Sequence, residues 1–129
     1  MIDDANAPLI RREDRDGVTV VLLNRPRQRN ALRYESWTEL SAVLNDVIAD
    51  GSRGVVLAGA DGFFCAGGDL KTGPAHGSGP LGPAGRVEHA QRVLEQLKEV
   101  PVPTIAAVEG AAVGLGWSLA LSCDLVVCA

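Results

Sequence analysis

Two glycine-rich segments, Phe63-Phe64-Cys65-Ala66-Gly67-Gly68-Asp69-Leu70 and Val113-Gly114-Leu115-Gly116, can turn main-chain groups toward a ligand. Glycine allows close backbone approach and conformations that expose N–H groups. Two such loops facing each other can aim a pair of N–H donors at one oxygen. A helix opening near Gly116 would add its positive end to the same spot. This is the arrangement that stabilises an enolate or thioester oxyanion, where one donor contributes about 10²–10³ in rate. The same glycines also suit ordinary turns closing an α/β sheet, and their spacing alone leaves both readings open.

Other reactive residue types are sparse. Gly116-Trp117-Ser118-Leu119-Ala120 approaches a nucleophile elbow, but Ala120 replaces the final glycine and the candidate strand ends ten residues before Ser118, near Val108. Neither histidine has an obvious route to Ser118: His76 falls in a loop and His89 at a solvated helix position. No GxxxxGK[ST] phosphate loop is present, and the glycines at 110, 114 and 116 do not form G-x-G-x-x-G. The three cysteines, Cys65, Cys123 and Cys128, form no CxxC pair and sit among apolar neighbours, where free thiols behave as small buried hydrophobes. No metal site is expected.

These loops need elements to hold them. Residues 1–8 read as a frayed leader, and the stretch 1–17 leads into a first strand. Val18–Leu23 is a β-branched run ending at Asn24-Arg25-Pro26, a strand running into a turn. Ser36-Trp37-Thr38-Glu39 has the capping-box form, with Ser36 as N-cap and Glu39 reaching back. Trp37, Leu40, Leu44, Val47 and Ile48 then recur at helical spacing as far as Gly51. Val55–Ala58 reads as a buried strand entering the glycine loop 59–69. Thr72–Gly85 holds five Gly and three Pro in fourteen residues, the composition of a mobile loop. Arg86–Glu99 has an apolar stripe of Val87, Ala90, Leu94 and Leu97, closed by Pro101 and Pro103. Thr104–Val108 is a third strand, 117–122 a short helix, and Leu125–Val127 a last strand. The alternation gives an α/β class with strands buried on both faces.

Composition bounds the rest. The chain has 129 residues, of which 47% are hydrophobic and 22% charged, as in one ordinary globular domain. Aromatics are only 4%, so the core is built from Val, Leu, Ile and Ala. A net charge of −4 argues against a nucleic-acid partner, which would face a basic surface. The run Leu119–Ala129 is too short and too interrupted to span a bilayer, and the acidic Met1-Ile2-Asp3-Asp4 start lacks a secretory signal. The expected setting is a reduced cytoplasm, away from membranes.

Four pieces occur in order: Asn24-Arg25-Pro26 with Asn30-Ala31-Leu32; Phe64-Cys65-Ala66-Gly67-Gly68-Asp69-Leu70; Pro103-Thr104-Ile105-Ala106-Ala107-Val108-Glu109-Gly110 with Ala112, Gly114 and Gly116; and Cys123-Asp124-Leu125. Together they resemble the enoyl-CoA hydratase/isomerase (crotonase) family, over the N-terminal half of its usual domain (here 18–129). The resemblance implies a crotonase-like ββα superhelix, packed as a homotrimer or a hexamer. It implies an acyl-CoA thioester as substrate and no separate cofactor. The thioester oxygen would sit between the N–H groups of Gly68 and Leu115, beside Gly114. The nucleotide end of CoA would lie near Arg25, Arg27, Ala66, Asp69, Leu70 and Lys71. For Arg25 and Arg27 a solvated turn is an equal reading, and Asp69 also suits a helix cap.

Two departures from the family pattern bear on the chemistry. The first catalytic Glu position is occupied by Ser118, whose hydroxyl is no general base near neutral pH without an activator. Two-carboxylate hydration by the usual mechanism is therefore not expected, and a single later carboxylate, beyond Ala129, would move the proton. Glu109 occupies neither catalytic position and is expected to face solvent or cap its turn. The second departure is length. A chain ending in the apolar Leu125-Val126-Val127-Cys128-Ala129 leaves a sticky sheet edge, so the sequence is expected to be part of a longer polypeptide. The alternative is a truncated or degenerate, non-catalytic crotonase-fold protein that binds acyl-CoA or partner subunits.

Overall fold

The structure is a computed structural model that describes residues 7–69 and 82–129. Five strands form one mixed sheet in chain order: β1 (Ile10–Arg15), β2 (Val18–Leu23), β3 (Gly54–Gly59), β4 (Thr104–Val108) and β5 (Leu125–Cys128). β1 and β2 form an antiparallel hairpin around Asp16 and Gly17, both at positive φ. Every later pairing is parallel and carries a helix in its crossover: α1 (Tyr34–Ala49), α2 (Gly82–Lys98) and α3 (Leu115–Leu121). This is the geometry parallel strands require, because a short turn cannot return the chain to the same end of the sheet.

β2 and β4 fall on the residues expected of them, and β3 and β5 extend slightly beyond theirs. β1 lies in the stretch read as a lead-in. Its charged sequence hides the strand, which is held by pairing to β2 and by Glu39. That carboxylate does not cap α1: it accepts the N–H groups of Leu9 (2.9 Å) and Ile10 (3.3 Å). α1 opens two residues before the expected cap, with Arg33 at N-cap and Ser36 at N3, where the Ser36 hydroxyl accepts the Arg33 N–H at 3.0 Å. α2 begins at Gly82, so the last four residues of the anticipated loop 72–85 are helical; 72–81, with His76, lie outside the described residues.

The core sits on one face of the sheet. Thr19, Val21 and Leu23 of β2, Val55 and Leu57 of β3, and Thr104, Ala106 and Val108 of β4 are buried there against α1 and α2. The opposite face is apolar but only half-covered, which corrects the expectation of strands buried on both sides. On it Val20, Val56, Ile105 and Leu125 stand in register across four strands, and Leu125 is 61% exposed. Two stripe residues also depart from the periodic reading: Ile48 and Val87 are exposed, whereas Val93 is buried. Cys65 and Cys123 are buried as expected, but Cys128 is exposed on β5.

α1 and α2 are joined by specific side chains. Ser41 donates to Gln96 Oε1 at 2.6 Å, and Gln96 Nε2 donates to the Ser41 carbonyl at 3.1 Å. His89 is not a freely solvated position. It stacks on Tyr34 with ring centres 4.2 Å apart and shares a 2.9 Å hydrogen bond with Thr38, and burial lowers its pKa. At the far end, Asp124 Oδ2 accepts the Thr104 N–H and Thr104 Oγ1 accepts the Asp124 N–H, both at 2.9 Å, a clamp that sets β5 beside β4.

Candidate active site

The turn after β2 is built around Asn30. This residue and Arg29 adopt left-handed backbone angles, which Asn tolerates better than most side chains. Asn30 is buried, accepts the Arg25 N–H on Oδ1 at 2.8 Å, and donates Nδ2 to the carbonyls of Ala60 (3.1 Å) and Phe63 (2.6 Å). One amide thus ties the first turn to the start of the glycine loop.

The loop then runs as a short strand between two neighbours. Leu32 donates to Gly67 O at 2.8 Å and accepts from the Asp69 N–H at 2.9 Å. On the other side Cys65 donates to Ala111 O and accepts from Val113 N–H, both at 3.1 Å. In such a parallel bridge the residue opposite Leu32, which is Gly68, turns its own N–H away from Leu32. Among the described residues that N–H donates to no other group.

The second loop reaches the same place. Gly114 (φ 55°, ψ −121°) turns the chain into α3, and Gly116, Trp117 and Ser118 donate back to Val113 or Gly114. The N–H of Leu115, the first residue of α3, makes no hydrogen bond among the described residues. α3 has only seven residues, so the donor of consequence is this single N–H rather than a long helix dipole.

Contact between the loops depends on two glycines. A Cβ at Gly67 (φ 100°) would meet Val113 O at 2.8 Å, and one at Gly116 would stand 2.7 Å from Cys65 O. Leu115 N is 3.9 Å from the same Gly67 Cβ position. Gly68 and Leu115 therefore share one cleft of about 400 Å³, with Ala66 and Gly114 beside them. Its other walls include Leu32, Trp37, Arg86 and Val87, none of which the sequence reading placed in a site. Trp37 and Val87 there carry helix-stripe assignments, and Arg86 only marks a helix start.

The remaining candidates divide. Arg25 is no solvated turn residue: it is 6% exposed, and its Nη1 donates to Asp69 Oδ2 at 2.9 Å and to Ala31 O at 2.8 Å. Its guanidinium is held beneath the glycine loop. Arg27 is exposed on the turn, while Leu70 and Lys71 lie outside the described residues. Ser118 lies apart from the cleft. It lines a separate groove with Gln91, Leu94 and Leu121, and its hydroxyl donates to Gly114 O at 3.4 Å. It makes no hydrogen bond to a histidine or carboxylate among the described residues, so nothing there activates it as a nucleophile. Glu109 is exposed at the end of β4, as expected. Burial raises the Cys65 thiol to about 11, partly opposed by the Gly67 N–H on its sulfur, so it is protonated at neutral pH. Among the described residues no three His, Cys, Asp or Glu converge as a metal site, and no helix is long and apolar enough to cross a membrane.

The sequence model of the enoyl-CoA hydratase/isomerase family matches residues 13–129. Human enoyl-CoA hydratase domain-containing protein 2, mitochondrial, is 39% identical over 115 residues, which are 88% of this chain and 39% of that protein. Mouse methylglutaconyl-CoA hydratase, mitochondrial, is 35% identical over 119 residues, 91% of this chain and 37% of that protein. Among solved structures, Pseudomonas aeruginosa AtuE superposes with a TM-score of 0.85 at 39% identity, covering 95% of this chain and 48% of that one. Enoyl-CoA hydratase from Bacillus anthracis superposes with a TM-score of 0.84 at 32% identity, covering 94% and 47%. The chain spans half or less of the length of these proteins. With the family's ordered motifs lying on its turns and loops, the chain belongs to the enoyl-CoA hydratase/isomerase family and carries about half of a crotonase fold.

Proposed function

We propose that the cleft binds an acyl-CoA thioester with its carbonyl oxygen between the N–H groups of Gly68 and Leu115. One observation carries this reading: two main-chain donors, unspent among the described residues, line the same apolar cleft. Such donors stabilise the negative charge that develops on the thioester oxygen when a proton leaves or a nucleophile adds. The reaction class is that of an enoyl-CoA lyase or isomerase, and the CoA thioester is the substrate with no further cofactor. The described walls of the cleft hold no carboxylate and Ser118 lies outside it, so the proton is moved by a group not among those walls. Arg27, exposed after β2, is the cation offered to the nucleotide end of CoA, whereas Arg25 braces the loop. Assembly as a homotrimer or hexamer, and a cytoplasmic setting, belong to the same reading.

Leu115→Pro tests it. Leu115 is the first residue of α3, a position where proline is tolerated; the change removes the N–H together with the leucine side chain, and Leu115→Ala, which removes the side chain alone, is the control. A folded Leu115→Pro variant should lose about 10²–10³ of enoyl-CoA turnover. Undiminished turnover would overturn the oxyanion assignment. A second reading, acyl-CoA binding without turnover, is favoured by the position of Ser118. It predicts that the protein binds the thioester and never converts it.

A further inference from the structure

We propose that Asn30 is a positioning residue for the oxyanion donor at Gly68, setting that N–H through the turn and the loop it joins; this rests on the acyl-CoA reading above. Asn30 is 1% exposed, and both ends of its amide are engaged. Oδ1 accepts the Arg25 N–H while the Asn30 N–H donates to Arg25 O at 2.9 Å, which closes the turn on itself. Nδ2 donates to Ala60 O and Phe63 O, 30 and 33 residues further along the chain. The Asn30 carbonyl accepts the Cys65 thiol at 3.2 Å. One residue therefore holds the glycine loop at its start and again partway along. The turn it closes then supplies the tethers on either side of Gly68. Leu32 donates to Gly67 O at 2.8 Å and accepts the Asp69 N–H at 2.9 Å, and Arg25 Nη1 reaches Asp69 Oδ2 at 2.9 Å.

The chemistry of the position asks for asparagine. Its φ of 58° suits Asn, Asp and Gly better than other residues. Of these three, only Asn offers an acceptor to the Arg25 N–H and two protons to the carbonyls. Asp keeps the acceptor but turns a second oxygen toward Ala60 O and Phe63 O. Gly leaves both carbonyls and the Arg25 N–H without that partner in the interior. An oxyanion donor acts at about 2.7–3.1 Å from its oxygen, and a misplacement of about 1 Å costs about 10²-fold. A small release of the loop is thus felt at the thioester oxygen before the apolar walls of the cleft register it.

The test uses Asn30→Asp and Asn30→Gly, with Leu44→Ala as a variant that weakens the buried face of α1 without touching the turn. The probe is butanoyl-CoA carrying carbon-13 at the thioester carbonyl. Calorimetry reads its affinity, and infrared difference spectroscopy reads its carbonyl stretch. Two well-placed N–H donors lower that stretch by drawing electron density onto the oxygen. Wild type and Leu44→Ala should show the same lowering on binding. Both Asn30 variants should lose about half of it or more, the share of one donor in two. Their affinity should fall by less than about tenfold, the factor that one hydrogen bond carries. The full shift in either Asn30 variant would overturn the inference and leave the acyl-CoA reading standing. An equal loss in Leu44→Ala would tie the effect to general stability and overturn it too, as would failure of both Asn30 variants to fold or to bind. Wild type that binds without any shift would overturn the oxyanion assignment, and wild type that does not bind would overturn the acyl-CoA reading. The inference falls with either.

Discussion

Arg25 reaches 44 residues along the chain to Asp69, and the two side chains are only 7% and 10% exposed. Removing one member of such a pair leaves a charge in a place that water cannot reach, which costs about 3–5 kcal/mol. Asp69→Ala is therefore expected to lower unfolding free energy by about that amount in urea titration. A loss below about 1 kcal/mol would mean that the buried pair contributes no more than an exposed one does. Because Asp69 follows Gly68 directly, the same variant should also weaken acyl-CoA binding by loosening the donor loop. The buried Cys65 thiol, raised to about 11, belongs to this framework and not to the chemistry.

At the scale of elements, the site is a junction between a loop bridged on both sides and the first turn of α3. Gly116 sits at that junction, where an added methyl group would stand 2.7 Å from Cys65 O and 2.8 Å from Cys65 Cβ. Bridges to Leu32 and Ala112 pin the Cys65 segment, so α3 has to give way. Moving α3 also moves Leu115, the donor next to Gly116. Gly116→Ala is expected to cost about 1–3 kcal/mol, the usual range for overpacking a tight contact. It should reduce enoyl-CoA turnover more than thioester binding, since a misplaced donor matters most where charge develops. Thermal denaturation and steady-state kinetics on one preparation check both. Unchanged values of each would show that the junction yields freely.

Over the whole molecule, helices cover one face of the sheet and leave the other apolar and half-open. Leu125 and Val127 on β5 are 61% and 58% exposed, and β5 ends the strand order of the sheet. An apolar surface of this kind at a sheet edge favours association. The 129-residue chain should therefore self-associate with rising concentration in sedimentation velocity. Leu125→Lys should weaken that association by placing a charge on the row shared with Val20, Val56 and Ile105. Concentration-independent sedimentation of the unmodified chain would contradict the argument.

Features set by local stereochemistry were legible in the residues alone. β2 and β4 follow from β-branched runs bounded by turn residues, and α1 from apolar spacing, because backbone preference and side-chain period act over a few neighbours. The two glycine loops were legible for the same reason: close approach and positive φ need glycine wherever they occur. Tertiary pairing decided the rest. It buried Arg25 against a carboxylate 44 residues away, turned Glu39 to β1, and brought Trp37 and Arg86 to the cleft while leaving Ser118 in another groove. Those outcomes depend on which strands lie side by side and in what register. Local pattern and turns constrain the register of a strand, but which distant strands become neighbours is settled only when those segments close on a common core.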